Sequence, residues 1–202
     1  MSAGKLASDV QGAVKPRAAE RILATAKELF YRQGIRAVGV DEIVSRSGVT
    51  KPSLYRSFAS KDELAAAYMR EYDADFWARF EAALATGPAG DPRGQLMAFL
   101  RGVGERAQRA GYRGCGMTNA GVEFPDGDNP ARRVAVANKS ELRRRLTELA
   151  AAMGAADAEM LGDGLLLLVE GAYVSGQLFG ERGPSRSLAA AADRLIEASL
   201  AR

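Results

Sequence analysis

The chain has 202 residues, enough for one or two compact units. It is ordinary in composition at 47% hydrophobic, 26% charged and 7% aromatic, with a formal charge of +3. It holds no histidine and one cysteine, which excludes a Ser-His-Asp triad, a Cys-His pair, imidazole-ligated zinc, a CxxC motif and any intrachain disulfide. Apolar runs such as Leu165–Val169 fall far short of the ~20 residues that cross a bilayer, and Met1 to Lys15 lacks the apolar core of a signal peptide. A cytoplasmic protein with no metal, no cofactor and no membrane partner is expected.

The modest charge conceals an asymmetry. Residues 1–61 carry eleven lysines and arginines against five acids, a net of +6 that includes five of the six lysines, whereas residues 62–202 sum to −3. A basic head on a mildly acidic body suggests a polyanion-binding module joined to a second unit. Chance clustering on a solvated face gives the same count.

In chain order, residues 1–15 are small and polar, without periodicity, and read as a mobile tail. Helical patterning starts after Lys15-Pro16. Ile22, Ala26, Leu29 and Phe30 recur at i, i+4, i+7 and i+8, one apolar stripe that Gln33-Gly34 stops. A short helix fits Val40 to Ser47 with Val40, Ile43 and Val44 inward, followed by a tight turn at Ser47-Gly48-Val49. Thr50 is a good N-cap for the next helix, with Pro52 in its first turn, and this helix runs to about Phe58. Ser60-Lys61-Asp62-Glu63 opens another, Ser60 capping and Glu63 at the capping-box position. That pattern continues through Leu64, Tyr68, Tyr72, Phe76, Trp77, Phe80 and Leu84 until the break at Thr86–Pro92. Further helices are expected at about 93–110, 116–124, 130–153, 157–180 and 185–201, separated by Gly111, Pro125–Asp128, Gly154 and Gly183-Pro184. No segment alternates with period two, so the fold class is all-α, with about nine helices and no internal repeat.

Helix, glycine-containing turn, helix is the helix-turn-helix signature, here inside the basic head. Ile43, Val44, Val49 and Leu54 would lock the pair against the first helix. Lys51, Ser53, Tyr55, Arg56 and Ser57 are left for the outer face of the second, a set of hydroxyls and cations suited to phosphates and base edges. A short helix pair of this kind also occurs in many helical proteins that never touch DNA.

The stretch Arg17 to Met69 resembles the DNA-binding domain of the TetR family of bacterial transcriptional regulators. The resemblance is carried by Ile22-Leu23, Ala26, Leu29-Phe30 and Gly34, by Val40-Asp41-Glu42-Ile43-Val44 and Ser47-Gly48-Val49, and by the run Thr50 to Leu64 (TKPSLYRSFASKDEL). It implies a DNA-binding domain over 16–62 and a helical effector-binding and dimerisation domain over 63–202. It also implies a recognition helix presenting Thr50, Lys51, Ser53, Tyr55, Arg56 and Ser57 to the major groove of double-stranded operator DNA, with Tyr55 and Lys61 on phosphates. Lys51 and Arg56 are the candidates for base readout, since either can donate to guanine O6 and N7. Gly39 departs from the Thr or Ser common before the second helix, so the phosphate contact of that side chain is not carried over. Read alone, Tyr55 can equally pack its ring at the helix junction and Arg56 can be a solvated charge.

In the body, Phe76, Trp77, Phe80, Met97, Leu100, Met117 and Phe124 are candidates for lining a cavity for a small apolar or amphipathic effector, with Phe99 beside them and Asn119 and Glu123 as polar contacts. The plainer reading of such residues is core. Helix 157–180 is apolar on more than one face: Leu161, Leu165, Leu168 and Ala172 form one stripe, and Leu167, Val174 and Leu178 lie off it. Gly162, Gly164, Gly171, Ser175 and Gly176 suit close approach of a partner helix. With 185–201 it resembles the two C-terminal helices of the family's four-helix dimer interface, and a two-fold dimer reads a pseudo-palindrome. Cys115, beside Arg113 and just before a helix, is a candidate redox or electrophile sensor. A small residue at a crowded turn is the preferred reading. Arg143-Arg144-Arg145 reads as a solvated face.

The expectation is a homodimeric regulator, a repressor released from its operator by an effector. The alternatives are an activator or architectural protein without effector, or a helical enzyme whose acid-base groups would have to be carboxylates, lysines or tyrosines.

Overall fold

The computed structural model describes residues 17–200, and the stretch expected as a tail (1–15) lies outside them. Among the described residues there are nine helices and no strand: α1 (Ala18–Gln33), α2 (Val40–Ser47), α3 (Lys51–Ser57), α4 (Lys61–Ala85), α5 (Pro92–Ala107), α6 (Gly116–Glu123), α7 (Pro130–Ala152), α8 (Ala158–Phe179) and α9 (Leu188–Leu200). None is long and apolar enough to cross a membrane.

The expected stripe of α1, Ile22, Ala26, Leu29 and Phe30, is its buried face. α2 and α3 close over that face with Ile43 and Leu54, both fully buried, while Val38 and Ile35 fill the space beneath the α1–α2 loop. The caps are local. The Thr50 side chain accepts from the Ser53 N–H, and the Ser60 hydroxyl accepts from Glu63 N–H at 3.1 Å, so the turns that start α3 and α4 satisfy their own amides.

α4 is the element common to both parts. It buries Leu64, Ala65 and Met69 at its start and Phe76, Phe80 and Leu84 at its end. The expected boundary between residues 62 and 63 falls inside its first turn. Around its second half pack α5, α6 and α7, with α8 and α9 completing the bundle. Phe80 is the aromatic hub, 4.7 Å from Phe99, 5.4 Å from Trp77 and 6.4 Å from Phe76, with the Arg145 guanidinium 5.1 Å from its centroid. Buried side chains form one continuous cluster from Ile22 in α1 to Ile196 in α9.

Four expectations shift. α5 stops at Ala107 rather than 110, because Gln108 and Arg109 turn back through i→i+3 bonds before Gly111 adopts φ +73°. The last helix starts at Leu188: residues Pro184–Ser187 form a 3-10 turn whose Ser185 carbonyl packs closely on Gly104, 3.0 Å from where a Cβ would stand. Two of the small residues of α8 serve neighbours in the same chain. Gly162 lies against the α7 backbone at Thr147, and Gly176 against the Ala107 carbonyl at the end of α5. Val169 rather than Leu168 completes the buried stripe of α8.

The α2–α3 turn needs Gly48 in the left-handed region, at φ +63° and ψ +31°, whereas Gly39 caps α2 from an extended φ of −80° with nothing within 4 Å of a built Cβ. Gly48→Val should therefore lower stability by about 1–2 kcal/mol. Gly39→Ser should be neutral or gain a few tenths of a kcal/mol through N-capping. Denaturant midpoints at one protein concentration check both.

Candidate nucleic-acid interface and body cavity

The helix pair is braced from α1. The Arg21 guanidinium donates to the Ser47 carbonyl at 2.7 and 3.1 Å and also to the Gly48 carbonyl, so one side chain holds both peptide oxygens that end α2. Sequence reasoning missed Arg21. A basic residue on the polar face of a helix carries no local sign of such a role.

With Leu54 as its only buried residue, α3 turns the rest of its short surface outward. Lys51, Tyr55, Arg56 and Ser57 are exposed, Tyr55 at 46%, so its ring does not pack away at the helix junction. Thr50 Oγ1 lies 2.9 Å from Ser53 Oγ, which accepts from Arg56 Nη2 at 2.7 Å; Ser57 Oγ donates to the Ser53 carbonyl at 3.0 Å. Lys51 Nζ sits 2.9 Å from Asp41 Oδ1 across the turn, and that carboxylate raises the ammonium's pKa. Both partners are solvent-exposed, so the pair is screened and weak, and it yields readily to a phosphate or a base. Lys61 is half-buried beside α3, donating to the Arg36 carbonyl at 3.2 Å, with its pKa lowered by burial. Gly39, as N-cap, offers no side chain there. Thus the seven residues Thr50, Lys51, Ser53, Tyr55, Arg56, Ser57 and Lys61 share one end of the molecule.

Two polar contacts tie this end to the body. The Tyr31 hydroxyl on α1 accepts from Arg113 N–H at 3.2 Å and donates to the Gly114 carbonyl at 3.4 Å, in the α5–α6 loop. Glu123, the last residue of α6, accepts from Arg36 N–H at 3.0 Å, and its carboxylate lies against Gly34, where a Cβ would be 2.6 Å from Oε1. Gly34, at φ +91°, is thus favoured by the backbone, and a side chain there would displace the Glu123 carboxylate.

Between these contacts and the bundle lies an open cavity of about 420 Å³. Its floor is Tyr72 and Phe76 from α4, Cys115 and Tyr173, and its rim is Arg79, Arg106, Arg109 and Tyr112, with Tyr31 on the side toward α1. Of the ten residues expected to line an effector site or offer it polar contacts, only Phe76 lines this cavity, and Phe99 is core. Phe80, Leu100 and Met117 are fully enclosed in the core, and Met97 and Phe124 are half-buried against it. Trp77 points its indole N–H to Asp73 at 3.1 Å, and Asn119 is engaged by the Arg113 carbonyl and the Gln177 amide. Position along the axis separates them: Tyr72, Phe76 and Phe80 follow at i, i+4 and i+8 on one face of α4, the first two beside the cavity and Phe80 where Trp77 and Phe99 pack against it. The tyrosines and arginines that line the cavity come from α1, α4, α5, a loop and α8, and no local pattern joins them.

Cys115 is 1% exposed at the N-cap of α6, with Lys139 Nζ 3.5 Å from its sulfur. Lys139 also pairs with Glu170 at 2.6 Å, which accepts from Thr118 at 2.7 Å. The turn around the thiol is crowded, since Gly116 touches the Tyr72 ring. Arg143, Arg144 and Arg145 are occupied by Asp163, by Glu141 and Glu148, and by Glu81 respectively.

Residues 22–68 match the family described as bacterial regulatory proteins, tetR family. The HTH-type transcriptional activator FasR of Mycolicibacterium smegmatis is 44% identical over 52 residues, 26% of this chain and 24% of that protein. The HTH-type transcriptional repressor BdcR of Escherichia coli is 38% identical over 68 residues, 34% of each chain, so these curated relatives are matched over about a quarter to a third of their length. The crystal structure of SCO4454, a TetR-family transcriptional regulator from Streptomyces coelicolor, superposes with a TM-score of 0.84 at 34% identity, over 91% of this chain and 96% of that one. With the helix-turn-helix motif at one end and this likeness extending through the helical body, the chain belongs to the TetR family of DNA-binding transcriptional regulators, which are not enzymes.

Proposed function

We propose that the protein is a homodimeric one-component repressor that grips a pseudo-palindromic operator through α3 and releases it when a small molecule fills the body cavity. In this reading residues 16–62 form the DNA-binding domain and 63–202 the effector-binding and dimerisation domain. Thr50, Lys51, Ser53, Tyr55, Arg56, Ser57 and Lys61 meet the DNA.

The observation that carries the reading is Tyr31. It belongs to the helix that braces α2 and α3, it lines the cavity, and its hydroxyl is held by the backbone of the α5–α6 loop. A ligand entering the cavity meets a residue of the head directly. Whatever it does to the Tyr31–loop contact changes how α1 sits on the body. DNA and ligand then weaken each other by the same factor, as linkage requires.

Dimerisation is supported by the outer face of α8 and its neighbourhood. Leu167, Leu178 and Phe179 are 73%, 70% and 60% exposed, and the adjoining groove between α8 and the Pro184–Leu188 segment is lined by Leu168, Ala172 and Leu188. An apolar strip of that size is unfavourable in water, and a second copy related by a two-fold axis covers it with itself.

Four outcomes are expected. Arg56→Ala and Lys51→Ala each weaken binding to DNA selected from a random pool by about tenfold or more, and Lys61→Met lowers the slope of log affinity against log salt by about one. Fluorescence anisotropy at several salt concentrations measures both; absence of any selected sequence, together with unchanged binding by the variants, defeats the reading. Tyr31→Phe, which removes both hydroxyl contacts, shrinks the ratio of operator affinities measured without and with a bound ligand. Leu178→Glu shifts the protein from dimer to monomer in sedimentation equilibrium.

A further inference from the structure

We infer that the occupant of the cavity is a small organic anion, a carboxylate carried on a flat apolar body. The inference rests on the reading of this cavity as the effector site and adds the chemical class of the effector.

The charge of the lining is one-sided. Arg79, Arg106 and Arg109 face the cavity, no Asp or Glu lines it, and none of the three guanidiniums forms an ion pair among the described residues. Arg106 is half-buried and the other two stand at the mouth. The nearest carboxylate behind the wall, Glu170, is already neutralised by Lys139 at 2.6 Å and by the Thr118 hydroxyl at 2.7 Å. A cationic ligand would therefore meet three like charges with no counter-charge, whereas a carboxylate meets donors suited to bidentate pairing.

The phenols reinforce this. Tyr72, Tyr112 and Tyr173 all have their pKa raised by burial, so they stay protonated and act as neutral donors rather than competing anions. Tyr173 is 4% exposed at the cavity floor, with the Lys139 ammonium 4.9 Å from its ring centroid. The faces of Tyr72, Phe76 and Tyr173 supply the apolar slot, and about 420 Å³ lies within the range of small-molecule sites. Tyr31 links recognition to response. Its hydroxyl has one proton, now shared with the Gly114 carbonyl at 3.4 Å; a carboxylate that accepts this hydrogen bond in the carbonyl's place removes one of the two bonds tying α1 to the loop, leaving that from Arg113 N–H.

The test uses the full chain and matched probes: 3-phenylpropanoate, 2-naphthoate and octanoate, each with its primary amide and its amine. Binding is followed by the fluorescence of Trp77, the only tryptophan, whose ring lies edge-on to cavity-lining Phe76 at 5.1 Å, and by thermal shift. The expected result is an acid that binds at least about tenfold more tightly than its amide and amine, with that preference abolished by Arg106→Met and reduced by Arg79→Met or Arg109→Gln at the rim. Amide or amine binding as tightly as the acid overturns the anion, as does an acid preference that survives all three substitutions, or a lack of binding by every member. Operator release is scored separately. Release by an amide or amine leaves the ligand-responsive reading standing without the anion, while operator affinity indifferent to bound ligand removes that reading itself.

Discussion

Everything in this molecule hangs on α4 being one unbroken rod. Twenty-five residues at about 1.5 Å rise make a helix of roughly 37 Å, capped by Ser60 beside the recognition helix and ending at the far side of the bundle. Its first turns are buried in the head through Leu64, Ala65 and Met69; its last turns carry Phe80 and Leu84 into the body. Between them it presents Tyr72, Phe76 and Arg79 to the cavity. A helix without proline or glycine has no cheap place to bend, so displacement at the cavity is passed along its length rather than absorbed. The cavity thus lies at the middle of a rod whose end, in the proposed reading, is the DNA-contacting surface.

That rod is paralleled by polar contacts of a different character. Tyr31 and Glu123 reach across to backbone groups of the facing segment, so they sense where the chain runs and not which side chains happen to be there. Hydrogen bonds of 3.0 to 3.4 Å at a half-exposed seam are individually modest. This suits the exchange that the proposed reading requires: a seam held only by the continuous apolar core would resist, and one held by a buried ion pair would be costly to open.

The head was legible in the sequence because its determinants are local. The stripe of α1, the left-handed Gly48, the Thr50 and Ser60 caps and the outward face of α3 each depend on residues within a few positions of one another, and periodicity and turn chemistry report such spacing. The length and continuity of α4 were legible for the same reason. The cavity was not. Its tyrosines come from α1, α4, the loop before α6 and α8, and the only local trace is Arg106 and Arg109 three residues apart at a helix end. Aromatic and methionine residues at helical spacing looked like a lining, yet Phe80 and Met117 became core, because burial is set by which neighbours arrive and not by apolarity alone. The glycines of α8 were also ambiguous: spacing indicated close approach, but only the folded chain reveals that Gly162 and Gly176 serve α7 and α5.

Those two glycines bear on how such a protein diversifies. A methyl group at Gly176 would sit 2.6 Å from the Ala107 carbonyl, and one at Gly162 would sit 2.9 Å from the α7 backbone, so neither can be replaced without moving a helix. The distances between α5, α7 and α8 are consequently locked by main chain against main chain. The side chains at the mouth of the cavity, Arg79 and Arg109, stand in solvent, Arg79 with its guanidinium over the Tyr72 ring at 5.9 Å. Natural variation can exchange them one codon at a time; in the proposed reading this alters the chemical signal while the skeleton that joins cavity to head stays as it is.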